Sequence, residues 1–119
     1  MSTIANTQKV AVVGASGVVG RALVEHLMQG EIPVVGLSRR PPADLADAPF
    51  QPLDLTSPSE CEQMAESTLS DVTHLVYTAL FEKPGLISGW QEQDQMQTNL
   101  AMLRNLLEPL KTHGKLRHV

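Results

Sequence analysis

The segment Gly14-Ala15-Ser16-Gly17-Val18-Val19-Gly20 follows directly on the apolar run Val10-Ala11-Val12-Val13 and opens a helical pattern. No other stretch constrains the fold so tightly. A buried strand that turns sharply into a helix packed back upon it needs positions without a side chain. Gly14 supplies the turn, Gly17 the space for a ligand to touch main chain, and Gly20 the close approach of helix to strand. The backbone N–H groups around Ser16, Gly17 and Val18 then lie at the positive end of the helix, where phosphate oxygens are met. The alternative is a glycine-rich turn that binds nothing, and the strand and helix on either side weigh against it.

Apolar runs and helical patterns alternate along the chain, without repeat or linker, and this implies a parallel sheet. The expected elements are a strand at about 9–13, a helix from Gly17 to Gln29 stopped by Gly30, and a strand from Pro33 to Ser38. In the first helix Val18, Leu23, Val24, Leu27 and Met28 form the buried stripe. A short third strand at Phe50–Leu53 leads into Asp54-Leu55, and Ser57-Pro58-Ser59-Glu60 reads as a capping box that starts a helix to about Leu69. The fourth strand, Thr73–Thr78, is apolar enough for the sheet centre. After a loop with Pro84-Gly85 the longest helix runs from Trp90 to Lys111, its stripe Met96, Leu100, Leu103, Leu107 and Leu110, with Pro109 bending its last turn and Gly114 ending it. Leu116-Arg117-His118-Val119 begins a fifth strand. The fold class is therefore α/β, a doubly wound parallel sheet of order 3-2-1-4-5, cut inside the fifth strand.

Composition narrows the functions. The 119 residues make one domain, and 42% hydrophobic content excludes a disordered chain. The apolar stretches are too short to span a bilayer, and the start has no basic and then apolar leader, so the expectation is a cytoplasmic protein away from membranes. The single Cys61 permits no internal disulfide, and His26, His74, His113 and His118 lack metal-ligand spacing. A formal charge of −4 with 3% aromatics argues against nucleic acid as a partner.

The second strand ends in Ser38-Arg39-Arg40. A dinucleotide fold that takes NAD usually has Asp or Glu there, for the ribose 2′-hydroxyl, whereas a 2′-phosphate requires that carboxylate gone and a cation nearby. Guanidinium matches phosphate with paired hydrogen bonds and stacks on adenine, so Ser38, Arg39 and Arg40 read as an NADP(H) selector; the alternative is two solvated arginines in a loop, and their place nineteen residues beyond Gly20 weighs against it. Asp54 either accepts from the adenine amino group, with Leu55 against the ring, or is a turn residue or cap. Thr78 and Ala79, small residues closing the fourth strand, let the nicotinamide-side ribose approach the backbone. Tyr77 packs between sheet and helix rather than doing chemistry, since Phe81 and not lysine stands four residues on. Met96 and Met102 read as core filler, and Asn99 as a support for the fourth strand's turn or a surface residue.

The GxxGxxG spacing resembles the short-chain dehydrogenase/reductase type of Rossmann fold. Together with Gly36-Leu37-Ser38-Arg39-Arg40-Pro41, Asp71-Val72-Thr73-His74-Leu75-Val76-Tyr77, Asn99 to Leu107 and Leu116-Arg117-His118-Val119, it is similar to the progesterone 5β-reductase/iridoid synthase-like branch of the extended members. That resemblance implies NADPH-dependent reduction of a small-molecule enone by hydride transfer. The family's catalytic lysine and tyrosine belong to segments after the fifth strand, so no catalytic residue is assigned, and the chain is expected to be the N-terminal, NAD(P)-binding part of a longer enzyme. The loop Leu80–Gln91 lacks the tryptophan that plant members tend to carry just after the fourth strand, which counts against steroid or iridoid substrates. The rival readings are an epimerase or dehydratase acting on a nucleotide sugar, an NmrA-like NADP(H) sensor, and a relic without cofactor affinity. A sheet cut at its fifth strand exposes an edge, so self-association is also expected.

Overall fold

The computed structural model describes residues 8–45, 47–80 and 93–119. The Pro84-Gly85 loop, Phe81, and the start expected for the longest helix at Trp90 lie outside the described residues. Four strands, β1 (Val10–Val13), β2 (Val34–Ser38), β3 (Phe50–Pro52) and β4 (His74–Tyr77), form one parallel sheet in the order β3-β2-β1-β4. Helix α1 (Val18–Gln29) joins β1 to β2, α2 (Pro58–Glu66) joins β3 to β4, and α3 (Gln93–His113) follows β4. His118 makes a parallel bridge to His74, with Leu75 N–H donating to its carbonyl at 2.9 Å. The expected fifth strand is present as this one bridge beside β4, and the sheet itself has four strands.

Side-chain alternation along β1 builds the two faces. Val10 and Val12 join Val24 of α1, Ala15 and Val34 in one core. Ala11 and Val13 join Val35, Leu37 and Leu75, with Cys61 and Ala65 of α2 and Leu106 and Leu110 of α3, in the other. All four β1 residues are buried, so the strand reads as a continuous apolar run. Helices on both faces make the sheet doubly wound. No helix among the described residues is long and apolar enough to cross a membrane.

Half of the expected capping box forms: the Ser57 hydroxyl accepts from Glu60 N–H at 3.3 Å, while Ser57 N–H donates to the Asp54 carbonyl. The helix ends at Glu66 rather than near Leu69. There the Ser67 hydroxyl bonds the Gln63 carbonyl and Leu69 N–H reaches the Met64 carbonyl, which turns Leu69 into the core.

Two stripe assignments need correction. Val18 is 88% exposed, because at about 100° per residue it faces away from Gly20 and Val24, the residues that α1 buries. In α3 the buried face carries Met102, Leu106 and Leu110, while Met96 and Leu100 are about half exposed. Leucines lie on more than one face of this helix, so spacing alone fits two registers, and packing against α2 selects one. Met102 is core filler; Met96 is not. The helix also continues past Pro109 to His113, and Gly114 N–H still bonds the Leu110 carbonyl.

This face assignment predicts unequal truncations. Leu106→Ala should cost about 2–5 kcal/mol through the cavity it leaves, and Leu100→Ala no more than about 0.5 kcal/mol. Urea unfolding of both variants tests it, and a larger loss at Leu100 would refute the assignment.

Candidate functional site

The carboxyl ends of β1, β2 and β4 open onto a cleft of about 1060 Å³. The chain runs from β1 outward to β2 and β3 and returns to β4 on the other side of β1, so the cleft lies where strand order reverses. Gly14, Ser16 and Gly17 line it from the turn after β1, Ser38, Arg39 and Arg40 from the end of β2, Asp54 and Leu55 from beyond β3, and Thr78 and Ala79 from the end of β4. Of the twelve residues expected here, Val18 and Gly20 stand outside the lining.

The glycine turn is held by backbone and by one side chain. Gly14 has a φ of +94°, and its N–H donates to the Leu37 carbonyl at 2.7 Å. A Cβ on Gly14 would lie 2.5 Å from Thr78 Oγ1, and one on Gly20 would lie 2.2 Å from the Gly14 carbonyl oxygen. Both positions therefore exclude a side chain, Gly14 by conformation and contact, Gly20 by contact alone. Gly17 differs. A Cβ there would meet just the Gly14 oxygen at 3.4 Å, so the space around it is open.

Gly14, Ala15 and Gly17 use their N–H groups on the carbonyls of Leu37, Leu37 and Gly14. The donors available at the helix start are accordingly those of the first turn of α1, which have no intrahelical acceptor. Gly17 is the N-cap and contributes no side-chain hydrogen bond. An anion at this end would meet bare amides and the positive end of the helix.

Thr78 is small enough to let a ligand approach, and its hydroxyl has a definite task besides. It donates to the Val13 carbonyl at 2.7 Å, beside the Thr78 N–H bond to the same oxygen at 2.8 Å. The end of β4 is thus fastened to the end of β1 directly under the turn. A threonine after an apolar strand carries no sequence signal for that role.

At the end of β2 the Ser38 hydroxyl donates to the Arg40 carbonyl. Its proton is committed to shaping the corner, so the arginines supply the exposed donors. Arg39 and Arg40 are both exposed, and neither makes an ion pair among the described residues. Across the rim, Asp54 Oδ1 accepts from Thr56 Oγ1 at 2.6 Å and Thr56 N–H at 2.9 Å, closing an Asx turn. The Thr56 hydroxyl foremost, then its amide, hold the Asp54 carboxyl below the usual carboxylate range, and the Arg39 charge adds to the effect against partial burial. Asp54 thus forms the turn and also lines the cleft. Leu55 is 8% exposed, and its carbonyl accepts from Asn105 Nδ2 of α3 at 2.9 Å.

Pro41, Ala43, Thr56, Leu80, Thr98 and Met102 complete much of the wall. Their types carry no motif; their place follows from the strand ends and from α3 crossing above. Asn99 donates to the Gln95 carbonyl one turn back in α3. Tyr77 packs against the α2–α3 side, and its buried hydroxyl finds no partner among the described residues. Burial raises that phenol and pushes the Cys61 thiol up to about 11, so both stay protonated near neutral pH.

The same arrangement recurs in solved structures. Thermoplasma acidophilum aldohexose dehydrogenase in ligand-free form aligns with a TM-score of 0.71 at 22% identity, over 91% of this chain and 45% of that one. Thermus thermophilus UDP-glucose 4-epimerase, in complex with NAD, gives 0.71 at 23% identity, over 92% and 36%. A short-chain dehydrogenase/reductase superfamily protein from Agrobacterium tumefaciens with bound NAD gives 0.71 at 20%, over 93% and 31%. The chain thus spans less than half the length of these proteins, and at such identities the likeness speaks for the Rossmann fold. No curated protein matches the sequence. Residues 10–119 match the NAD dependent epimerase/dehydratase family, and the chain belongs to that family.

Proposed function

We propose that this chain is the NADP(H)-holding part of a reductase that acts on an enone or carbonyl substrate, in the manner of the 5β-reductase-like branch. The observation that carries the cofactor choice is the end of β2: no carboxylate, a serine that shapes the corner, and two exposed arginines on the rim of the cleft. The cradle supports the same reading, since the open space at Gly17 and the uncapped first turn of α1 suit a pyrophosphate. When bound, the nicotinamide would supply the hydride. The chain's own residues bind and orient: the first turn of α1 takes the pyrophosphate, Arg39 and Arg40 the 2′-phosphate, and Asp54 and Leu55 border the adenine.

The second reading is an NAD-dependent epimerase or dehydratase acting on a nucleotide sugar. Membership of the epimerase/dehydratase family favours it. The cofactor preference separates the two.

Charge-assisted hydrogen bonds contribute about 1.5–3 kcal/mol, so NADPH should bind roughly ten- to a hundredfold more tightly than NADH. Calorimetric titration of both cofactors measures this. Equal affinities, or an undiminished preference in the Arg39→Ala/Arg40→Ala variant, would overturn the NADP(H) assignment.

Gly17→Val should remain folded, because its Cβ meets no crowded neighbour, and should lose cofactor binding, because the branch fills the cradle. Circular dichroism with NADPH titration decides, and a folded variant that still binds would refute the cradle. The 119-residue chain is also expected to hold cofactor without oxidising it. Tyr77 is its one tyrosine, its hydroxyl is buried, and a proton donor must come within hydrogen-bond reach of the substrate oxygen. NADPH oxidation by the purified chain on a panel of enones and aldehydes would contradict this.

A further inference from the structure

Arg21 lies one turn into α1, and Asp44 lies four residues beyond Arg40 in the connection from β2 to β3. They meet in a two-pronged ion pair, Arg21 Nε to Asp44 Oδ1 at 2.6 Å and Nη2 to Oδ2 at 2.8 Å. Glu25, one helical turn on, stands 3.7 Å from Nη2. The side chains are 31% and 65% exposed, and pairs this open contribute little to global stability. A guanidinium–carboxylate fork does, however, fix direction as well as distance. What this fork fixes is the connection that carries the two arginines of the cleft rim.

That connection is held at its near end by the Ser38 hydroxyl on the Arg40 carbonyl. Further on, Leu45 N–H reaches the Pro42 carbonyl at 3.4 Å, and Leu45 and Ala48 pack against the core on the α1 face. Asp44 is the point at which it is tied to α1 by charge, and α1 also begins at the glycine cradle. We propose that Arg21 and Asp44 are a positioning pair for cofactor specificity, which holds the Arg39-Arg40 corner at a set distance from the cradle so that the 2′-phosphate and the pyrophosphate are met together. The inference rests on the reading of Arg39 and Arg40 given above.

Two effects act in the same direction. The bridge orders the corner before the ligand arrives, so less ordering free energy is lost on binding. It also occupies the first carboxylate that follows the two arginines in sequence. With Arg21 gone, Asp44 is released to pair with Arg39 or Arg40 and to compete with the phosphate. Removing Arg21 should therefore cost more than removing the Asp44 charge, which loosens the corner and adds no competitor. Neither change touches the cradle, so NADH binding should stay as it is.

The experiment titrates NADPH, NADH, 2′,5′-ADP and 5′-AMP into the wild-type chain and into Arg21→Ala, Asp44→Asn and the exchange Arg21→Asp/Asp44→Arg. Arg21→Ala should weaken NADPH and 2′,5′-ADP by roughly three- to tenfold, the ordering cost of a long side chain. Asp44→Asn should weaken them less, the exchange should recover part of the loss, and NADH and 5′-AMP should shift by less than twofold. Equal weakening of phosphorylated and unphosphorylated ligands, or no change in either, would overturn the positioning role. If the wild-type chain itself shows no NADPH preference, the reading of Arg39 and Arg40 fails. If it prefers NADPH and Arg21→Ala leaves the preference whole, the bridge alone fails. Should Arg21→Ala disturb the helix, Asp44→Asn carries the same test from the exposed side of the pair.

Discussion

Everything at the carboxyl edge depends on how closely β1, β4 and the start of α1 approach one another. The Thr78 hydroxyl and amide both close on the Val13 carbonyl, and a side chain at Gly14 would collide with that hydroxyl. A Cβ at Gly20 would collide with the Gly14 carbonyl on the other side. Three backbone segments therefore meet with the Thr78 hydroxyl as the side-chain group packed among them. The positive end of α1 is useful to an anion because it is brought this near to the sheet edge and left without a side-chain cap. A serine or aspartate at the N-cap would stabilise the helix by itself and would fill the place a phosphate needs.

This explains which parts of the site are legible in sequence. Gly14, Gly17 and Gly20 serve geometric demands that few residues can meet, so their spacing alone announces the turn. β1 and β2 are legible for a related reason: both are buried on both faces, and such burial writes an uninterrupted apolar run. The order 3-2-1-4 follows from β1 as the central strand and from connections that lie over the sheet.

What sequence conceals is whatever depends on partners distant along the chain. Thr78 is one hydroxyl among many until β4 is laid beside β1, sixty-five residues away. Arg21 and Asp44 are a surface cation and a surface anion until the β2–β3 connection is folded back on α1. In α3 the leucines satisfy a helical period on more than one face, and contact with α2 decides that Leu106 and Leu110 go inward while Leu100 does not. Val18 is a different case: steps of three, four and seven residues from it reach Arg21, Ala22 and Glu25 on the outer side of α1, so its exposure is already written in the helical period.

The chemistry of the lining bears on what the described wall can do. Among the described residues the titratable groups on the wall are Arg39, Arg40 and Asp54. Arginine keeps its charge at any ordinary pH, and the Thr56 hydrogen bonds hold Asp54 below the usual carboxylate range. The two buried acids behind the wall, Tyr77 and Cys61, are both raised by burial and keep their protons. Each of these side chains is fixed in one protonation state around neutrality, whereas a general acid or base works best with a pKa near the operating pH. The described wall is accordingly built to hold charge in place, and in the reduction proposed above the proton would be carried by some other group.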